Sequence, residues 1–363
     1  MKDRRTLLYL LILSTFLLSM MALLAYADTG ALSGAKSSAL YNPDTKTFLY
    51  QNNATQRLPM ASTTKIVTAL LAIETLEPNE IITVPREAVG IEGSSLYLKE
   101  NDKISVNDLI YGVLLQSAND AATVLALRIS GDVSLFAEKM TERVSKIGAL
   151  DTNFQNPHGL DEKEHYTTAH DLALISAEAM QNDTFKKISS TYKYSFKLGE
   201  DTRTLINHNK LIKSYNGCIG VKTGFTRKSG RCLVSAAERE GVTLIAVTLN
   251  APNDWTDHKN MLDYGFDELE AVDITELISL PSTIPTVSAD GISVPITLSQ
   301  KAIVKHKDEP ISCQIDLQPY ITHDLKCGDK IGEVTVRIGD RIETINISAS
   351  SDVKIKKNTR HLF

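Results

Sequence analysis

Two short strand-like runs, 37–41 and 47–51, flank the turn signal Asn42-Pro43-Asp44 and predict a β-hairpin. From Ser62 to Leu76 the period changes. Ile66, Val67, Leu70, Leu71 and Ile73 share one broad face, which predicts a helix. Further helical patterns run through 107–116, 119–129, 133–148 and 168–181. Strand-like runs return near 217–223, 231–237 and 243–249, and a last helix runs from Thr256 to about Leu269. The order of strands, helical block and strands predicts one sheet made from both ends of this region, with the helices packed against it.

The texture changes after about residue 272. β-Branched residues, prolines and the turn pairs Gly328-Asp329 and Gly339-Asp340 predict a separate small all-β domain over 273–350. Leu280-Pro281-Ser282 is the expected linker region, and 351–363 a short tail whose lysines form a solvated end. A length of 363 residues suits two domains. The net charge of -5, with no long basic run, excludes a nucleic-acid partner on electrostatic grounds.

The N-terminus has a pattern of its own. Lys2, Arg4 and Arg5 precede an apolar run from Leu7 to Leu24, and Ala25-Tyr26-Ala27 then supplies a small-x-small cleavage site. This predicts a signal peptide over 1–27, cleaved after Ala27, and a protein that works outside the cytoplasmic membrane. The alternative is an uncleaved anchor at the membrane surface, since the run is long enough to span. Four cysteines, at 218, 232, 313 and 327, show no C-x-x-C spacing and no accompanying histidine cluster, so no metal site is expected. If a turn centres near Phe225, Cys218 and Cys232 stand opposite each other on neighbouring strands, about 4.5–5.5 Å apart and within reach of a disulfide. Buried free thiols are the competing outcome.

Chemistry enters with Ser62-Thr63-Thr64-Lys65. Residues at i and i+3 of a helix share a face, so the amine can meet the hydroxyl and act as its base. Backbone N–H groups at the first turn favour negative charge on an attacked carbonyl. The pattern alone is common here: Ser-x-x-Lys recurs at Ser33, Ser190 and Ser351, Ser-x-Asn at Ser105, Ser117 and Ser214, and Lys228 begins a Lys-Ser-Gly. Context selects among them. Ser62 opens an amphipathic helix, Ser117-Ala118-Asn119 lies in a break between two helices, and Lys222-Thr223-Gly224 ends an apolar strand.

This ordered triple resembles the penicillin-recognising serine enzymes. Longer stretches narrow the resemblance: Leu58 to Lys65, Asn156-Pro157-His158-Gly159-Leu160, Tyr166 to Asp171 and Gly220 to Thr226 are similar to the low-molecular-mass D-alanyl-D-alanine carboxypeptidases of peptidase family S11. The resemblance covers about residues 30 to 350. It implies an α/β fold: a β-lactamase/transpeptidase-like catalytic domain over 28–272, with an antiparallel sheet flanked by a helical block, plus the C-terminal β domain. It also implies that peptidoglycan stem peptides are substrates, β-lactams are inhibitors, no cofactor is used, and cell-wall assembly and cell shape are the setting. In the implied roles Ser62 is acylated and Lys65 takes its proton. Ser117 and Asn119 extend the proton path and hold the substrate. Lys222, Thr223 and Gly224 bind substrate, and the N–H groups of Ser62 and Phe225 form the oxyanion hole.

Four points qualify these roles. His158 reads as a residue that shapes its loop, and Asp171 as one that stabilises the helix after Thr168. Ser94, Ser95 and Tyr97 form a polar loop that could border the cleft. Some relatives hold the substrate carboxylate with an arginine near a position where this chain reads Asp254-Trp255. The expectation is therefore that Lys222 and Thr223 carry that recognition, with Arg227, Lys228 and Arg231 contributing little because turn side chains face solvent. The rival readings are a class A-like β-lactamase and a catalytically silent peptidoglycan-binding scaffold. Glu162 and Glu164 lie where the β-lactamase base would be, but neither begins a Glu-Leu-Asn motif.

Overall fold

The computed structural model describes residues 32–288 and 290–356. The expected signal segment, with its Ala27 cleavage site, lies outside them, as does the end of the tail. Among the described residues no helix is long and apolar enough to cross a membrane.

The predicted sheet is present and is built from both ends of the region. Its order is Thr47–Asn52, Ser37–Asn42, Val242–Leu249, Gly230–Arg239, Cys218–Thr226, antiparallel throughout. The central Val242–Leu249 strand is apolar almost without a break, because both of its faces are covered. Helix Ala169–Gln181 packs on one face and helix Asp254–Glu268 on the other. The first face joins a large core with Phe136, Met140 and Ile66, and the second closes over Leu40, Leu244 and Met261.

The helices Val106–Leu115, Asn119–Ser130 and Val133–Ser145 follow the predicted periodicity to within a few residues at each end. Two of these starts are fixed by a cap: Ser105 and Asp132 accept hydrogen bonds from the free N–H groups of the first turn of Val106–Leu115 and Val133–Ser145, each cap contributing about 1 kcal/mol. Thr168 does the same for Ala169–Gln181 by accepting from Asp171 N–H, and the Asp171 carboxylate accepts from Asp151 N–H and Thr152 Oγ1.

Beyond the last helix, strand Leu269–Asp273 pairs with Ala302–His306. A second five-stranded sheet follows, in the order Thr283–Pro285, Ser293–Leu298, Arg341–Ala349, Lys330–Ile338, Ile311–Leu317. Strand Ile311–Leu317 alternates strictly between half-buried and exposed residues, as expected for a sheet with one wet face. Its core gathers Ile284, Val294, Val334 and Ile345. Ile278 and Leu280 pack on that core, so the expected linker region is held against it.

The cysteine expectation fails. The Cys218–Thr226 strand continues past Phe225, and its hairpin turns only after Thr226, which pairs with Gly230. The register therefore puts Cys218 opposite Ala237 and Cys232 opposite Gly224. Five residues of strand separate the partner of Cys218 from Cys232, roughly 17 Å at about 3.3 Å per residue, far beyond disulfide reach. All four cysteines are free thiols.

Candidate active site

Ser62 lies in a 3₁₀ turn, Ala61–Thr64, and the α-helix begins only at Lys65. The sequence reading put Ser62 inside the helix. The difference has a local cause: Ala61 is left-handed, with φ +47°, so the chain enters through a tight turn. A 3₁₀ turn eclipses side chains at i and i+3 more closely than an α-helix does. Lys65 Nζ accordingly stands 3.0 Å from Ser62 Oγ.

Gly159 makes this turn possible. A Cβ there would fall 1.9 Å from the Ala61 carbonyl oxygen, so only glycine lets the 156–160 loop back the Ser62 turn. His165 braces the turn from the same side. Gln155 N–H donates to His165 Nδ1 at 3.0 Å, which puts the ring proton on Nε2. Nε2–H then donates to Thr64 Oγ1 at 2.8 Å, and the Thr64 hydroxyl donates to the Ala61 carbonyl. Burial pushes the His165 pKa down to about 4, so this chain of bonds stays neutral at working pH.

Lys65 is 0% exposed, and no carboxylate pairs with it among the described residues. Its Nζ also donates to Asn119 Oδ1 and to the His158 carbonyl, both at 2.6 Å. Burial and then the like charge of Lys222 hold its pKa well below the usual lysine value, with Asp120 acting in the opposite sense. His158 is itself kept neutral by burial, its pKa pushed to about 3, and its Nδ1 accepts from Leu160 N–H. It contributes a carbonyl and a loop shape, as the sequence suggested.

Ser117-Ala118-Asn119 lies in the break between two helices, with Ser117 left-handed at φ +61° and its side chain on the cleft. Asn119 bridges: Oδ1 accepts from Lys65, Nδ2 donates to the Glu92 carbonyl, and its N–H donates to the Ser94 carbonyl at 2.7 Å. Asp120, fully buried, accepts from Ser95 Oγ and from the N–H groups of Leu96 and Leu98. The 94–98 loop is thereby tied to the same helix start, and Ser94 does border the cleft.

The Cys218–Thr226 strand is the edge of its sheet, so its outer N–H and C=O groups face the cleft. Thr223, Gly224 and Phe225 line it. Gly224 again meets a close approach, since a Cβ there would lie 3.0 Å from Ser62 N. Lys222 is buried, donates to the Thr223 carbonyl at 2.9 Å, and is pushed by burial to a pKa of about 7. The cavity between these parts measures about 780 Å³.

Two parts of its wall went unforeseen. One comprises Tyr192, Ile206, Lys210 and Lys213. It is built by helix Asp183–Ser190, hairpin Lys193–Leu198/Asp201–Ile206 and the short helix Leu211–Ser214. Alternating runs around Gly199-Glu200 carried the hairpin signal. The other is Arg231. It belongs to strand Gly230–Arg239, not to the turn, and lines the cavity with its Nη2 2.8 Å from Asp254 Oδ1. The premise that its side chain points to bulk solvent is thus corrected. Among the described residues no group of three or more His, Cys, Asp or Glu side chains converges as a metal site would require.

A buried lysine amine with no carboxylate partner among the described residues, set against a serine hydroxyl beside an exposed sheet edge, is the arrangement of a serine hydrolase with a lysine base. The model of the D-alanyl-D-alanine carboxypeptidase family, Peptidase S11, matches residues 27–253, and the chain belongs to that family. It is 29% identical to D-alanyl-D-alanine carboxypeptidase DacF of Bacillus subtilis, over 88% of this chain and 86% of that protein. With the D-alanyl-D-alanine carboxypeptidase of Streptomyces sp. K15 it shares 34% identity over 67% of this chain and 90% of the relative. Among solved structures, penicillin binding protein 5 from Haemophilus influenzae superposes with a TM-score of 0.65 at 27% identity, covering 88% of this chain and 97% of the other.

Proposed function

We propose that this chain is a serine D-Ala-D-Ala carboxypeptidase that acts outside the cytoplasmic membrane, removes the terminal D-alanine of peptidoglycan pentapeptide stems and is acylated by β-lactams. The observation that carries the reading is the 3.0 Å contact between Ser62 Oγ and the buried Lys65 amine. An amine with its pKa lowered by burial is neutral often enough to accept a proton. As Ser62 Oγ attacks the penultimate D-Ala carbonyl, Lys65 takes the hydroxyl proton. The N–H groups of Ser62 and Phe225 hold the developing oxyanion. Ser117 relays that proton from Lys65 to the amine of the leaving D-alanine as the C–N bond breaks, which leaves Lys65 neutral again. Water then attacks the ester carbonyl, Lys65 takes its proton, and that proton returns to Ser62 Oγ as the ester C–O bond breaks. Asn119 keeps the lysine amine aimed, and Lys222 supplies positive charge behind Thr223 and Gly224.

The catalytic domain on this reading is 28–272, exported behind a signal peptide over 1–27, with a β domain over 273–350 and a tail over 351–363. The family's setting on peptidoglycan supports export. The β-lactamase reading needs a carboxylate base in the cleft. Asp254 is the carboxylate that lines the cavity, and it is engaged by Arg231, while Glu162 Oε1 accepts from Asn156. The scaffold reading leaves the connected Ser62, Lys65 and Asn119 without a purpose.

One time course separates the three. The purified protein is mixed with labelled penicillin, and adduct and free product are followed together. A covalent adduct released slowly is the expected result. Rapid drug turnover would identify a β-lactamase, and no adduct a scaffold.

A further inference from the structure

A carboxypeptidase must hold a free chain end, or it would cut internal bonds as readily. We propose that Arg231, aimed by Asp254, grips the terminal carboxylate of the substrate and is the residue that makes this enzyme select chain ends. The inference rests on the carboxypeptidase reading and adds to it the residue that sets specificity.

Three observations lead there. The first is position. Arg231 pairs with Phe225 across the hairpin, and Thr223 lies two residues before Phe225 on the same strand. Thr223 and Arg231 are therefore diagonal neighbours on one face of the sheet, a spacing that a long side chain spans. Both line the cavity that contains Ser62.

The second is preorganisation. Asp254 opens helix Asp254–Glu268, where the helix dipole favours a carboxylate, and its Oδ1 is fixed by Trp255 N–H at 2.9 Å. It is almost buried, at 4% exposed, and takes Arg231 Nε at 3.0 Å and Nη2 at 2.8 Å. The Trp255 ring lies 5.6 Å from the guanidinium carbon. Five N–H donors make up a guanidinium, and Asp254 Oδ1 takes the one on Nε, with Nη2 beside it. The Arg231 side chain remains 43% exposed, so the others are available to a ligand in the cavity. A planar fork held at one end suits a carboxylate at the other.

The third is the weakness of the competing cations. Lys65 is committed to Ser62, Asn119 and His158. Lys222 is buried and does not line the cavity. Lys210 and Lys213 do line it, but neither is aimed by a carboxylate among the described residues as Arg231 is, and Lys213 Nζ rests 3.9 Å from the centre of the Tyr192 ring.

The test compares diacetyl-L-lysyl-D-alanyl-D-alanine with its C-terminal amide in four proteins: wild type, Arg231→Gln, Arg231→Lys and Lys213→Gln. The readout is kcat/KM for release of D-alanine or D-alanine amide. In Arg231→Gln the value for the free acid is expected to fall about 10- to 100-fold, the range for losing a charged hydrogen-bond partner, while the amide changes by less than about twofold. Arg231→Lys should recover part of the loss, because charge returns without the fork. Lys213→Gln should keep the wild-type ratio of acid to amide. Equal loss on both substrates in Arg231→Gln would show a structural role and overturn the proposal. So would a preference that collapses in Lys213→Gln but survives in Arg231→Gln. A wild type that cleaves both peptides equally overturns this proposal alone, whereas one that cleaves neither overturns the carboxypeptidase reading as well.

Discussion

Ser62→Ala forms no covalent adduct with penicillin and releases no D-alanine, a fall on the order of 10⁶ in turnover, the scale on which a serine hydrolase loses its nucleophile. Mass mapping of the wild-type adduct places the label on the peptide containing Ser62. The rival Ser-x-x-Lys serines are occupied in other ways. Ser33 is buried and donates to Asp257, and Ser190 donates to the Lys187 carbonyl in the last turn of its helix. Ser351 lies at the far end of the C-terminal sheet, beyond strand Arg341–Ala349. A label on any of the three contradicts the assignment. The variant should fold normally, because Ser62 is half-buried and, among the described residues, its hydroxyl hydrogen-bonds to Lys65 alone.

The second large effect separates two buried lysines. Lys65→Arg should stop acylation, with a loss of at least the roughly 10²–10⁴-fold that a general base contributes. Arginine remains protonated at every working pH, so it cannot take the Ser62 proton. Its planar head also cannot reproduce three convergent bonds to Ser62 Oγ, Asn119 Oδ1 and the His158 carbonyl. Lys222→Arg keeps the charge that this position supplies and should keep measurable acylation, reduced by the larger head in a buried site. Stopped-flow acylation rates for the two variants decide the matter. Complete loss in both would mean that the roles are wrongly divided.

The sequence made the site legible where chemistry and periodicity coincide. The helix after Ser62, the break at Ser117 and the strand ending in Lys222-Thr223-Gly224 each carried both a motif and a pattern. The structure brings these together through Lys65 and through the approach of Gly224 to Ser62 N. Register was not legible. The Cys218–Cys232 expectation depended on where the hairpin turns, and Thr226 with Ser229 moves the turn later: Thr226 N–H donates to Ser229 Oγ, and Ser229 N–H to Thr226 Oγ1. That same shift sets Arg231 opposite Phe225 and so diagonal to Thr223, a position the earlier turn would not have given it, which is why its place in the cleft was missed. The brace through His165 was hidden for another reason. Its partners, Gln155 and Thr64, lie 10 and 101 residues away in sequence, and nothing local marks such a contact.

The most direct test of the account is the product of a pentapeptide stem ending in D-Ala-D-Ala. Incubation with the wild-type protein should convert it to the tetrapeptide and release one equivalent of D-alanine, with Ser62→Ala inactive under the same conditions. A wild type that acylates with penicillin but leaves the pentapeptide intact, or that cuts an internal bond of the stem, would contradict it.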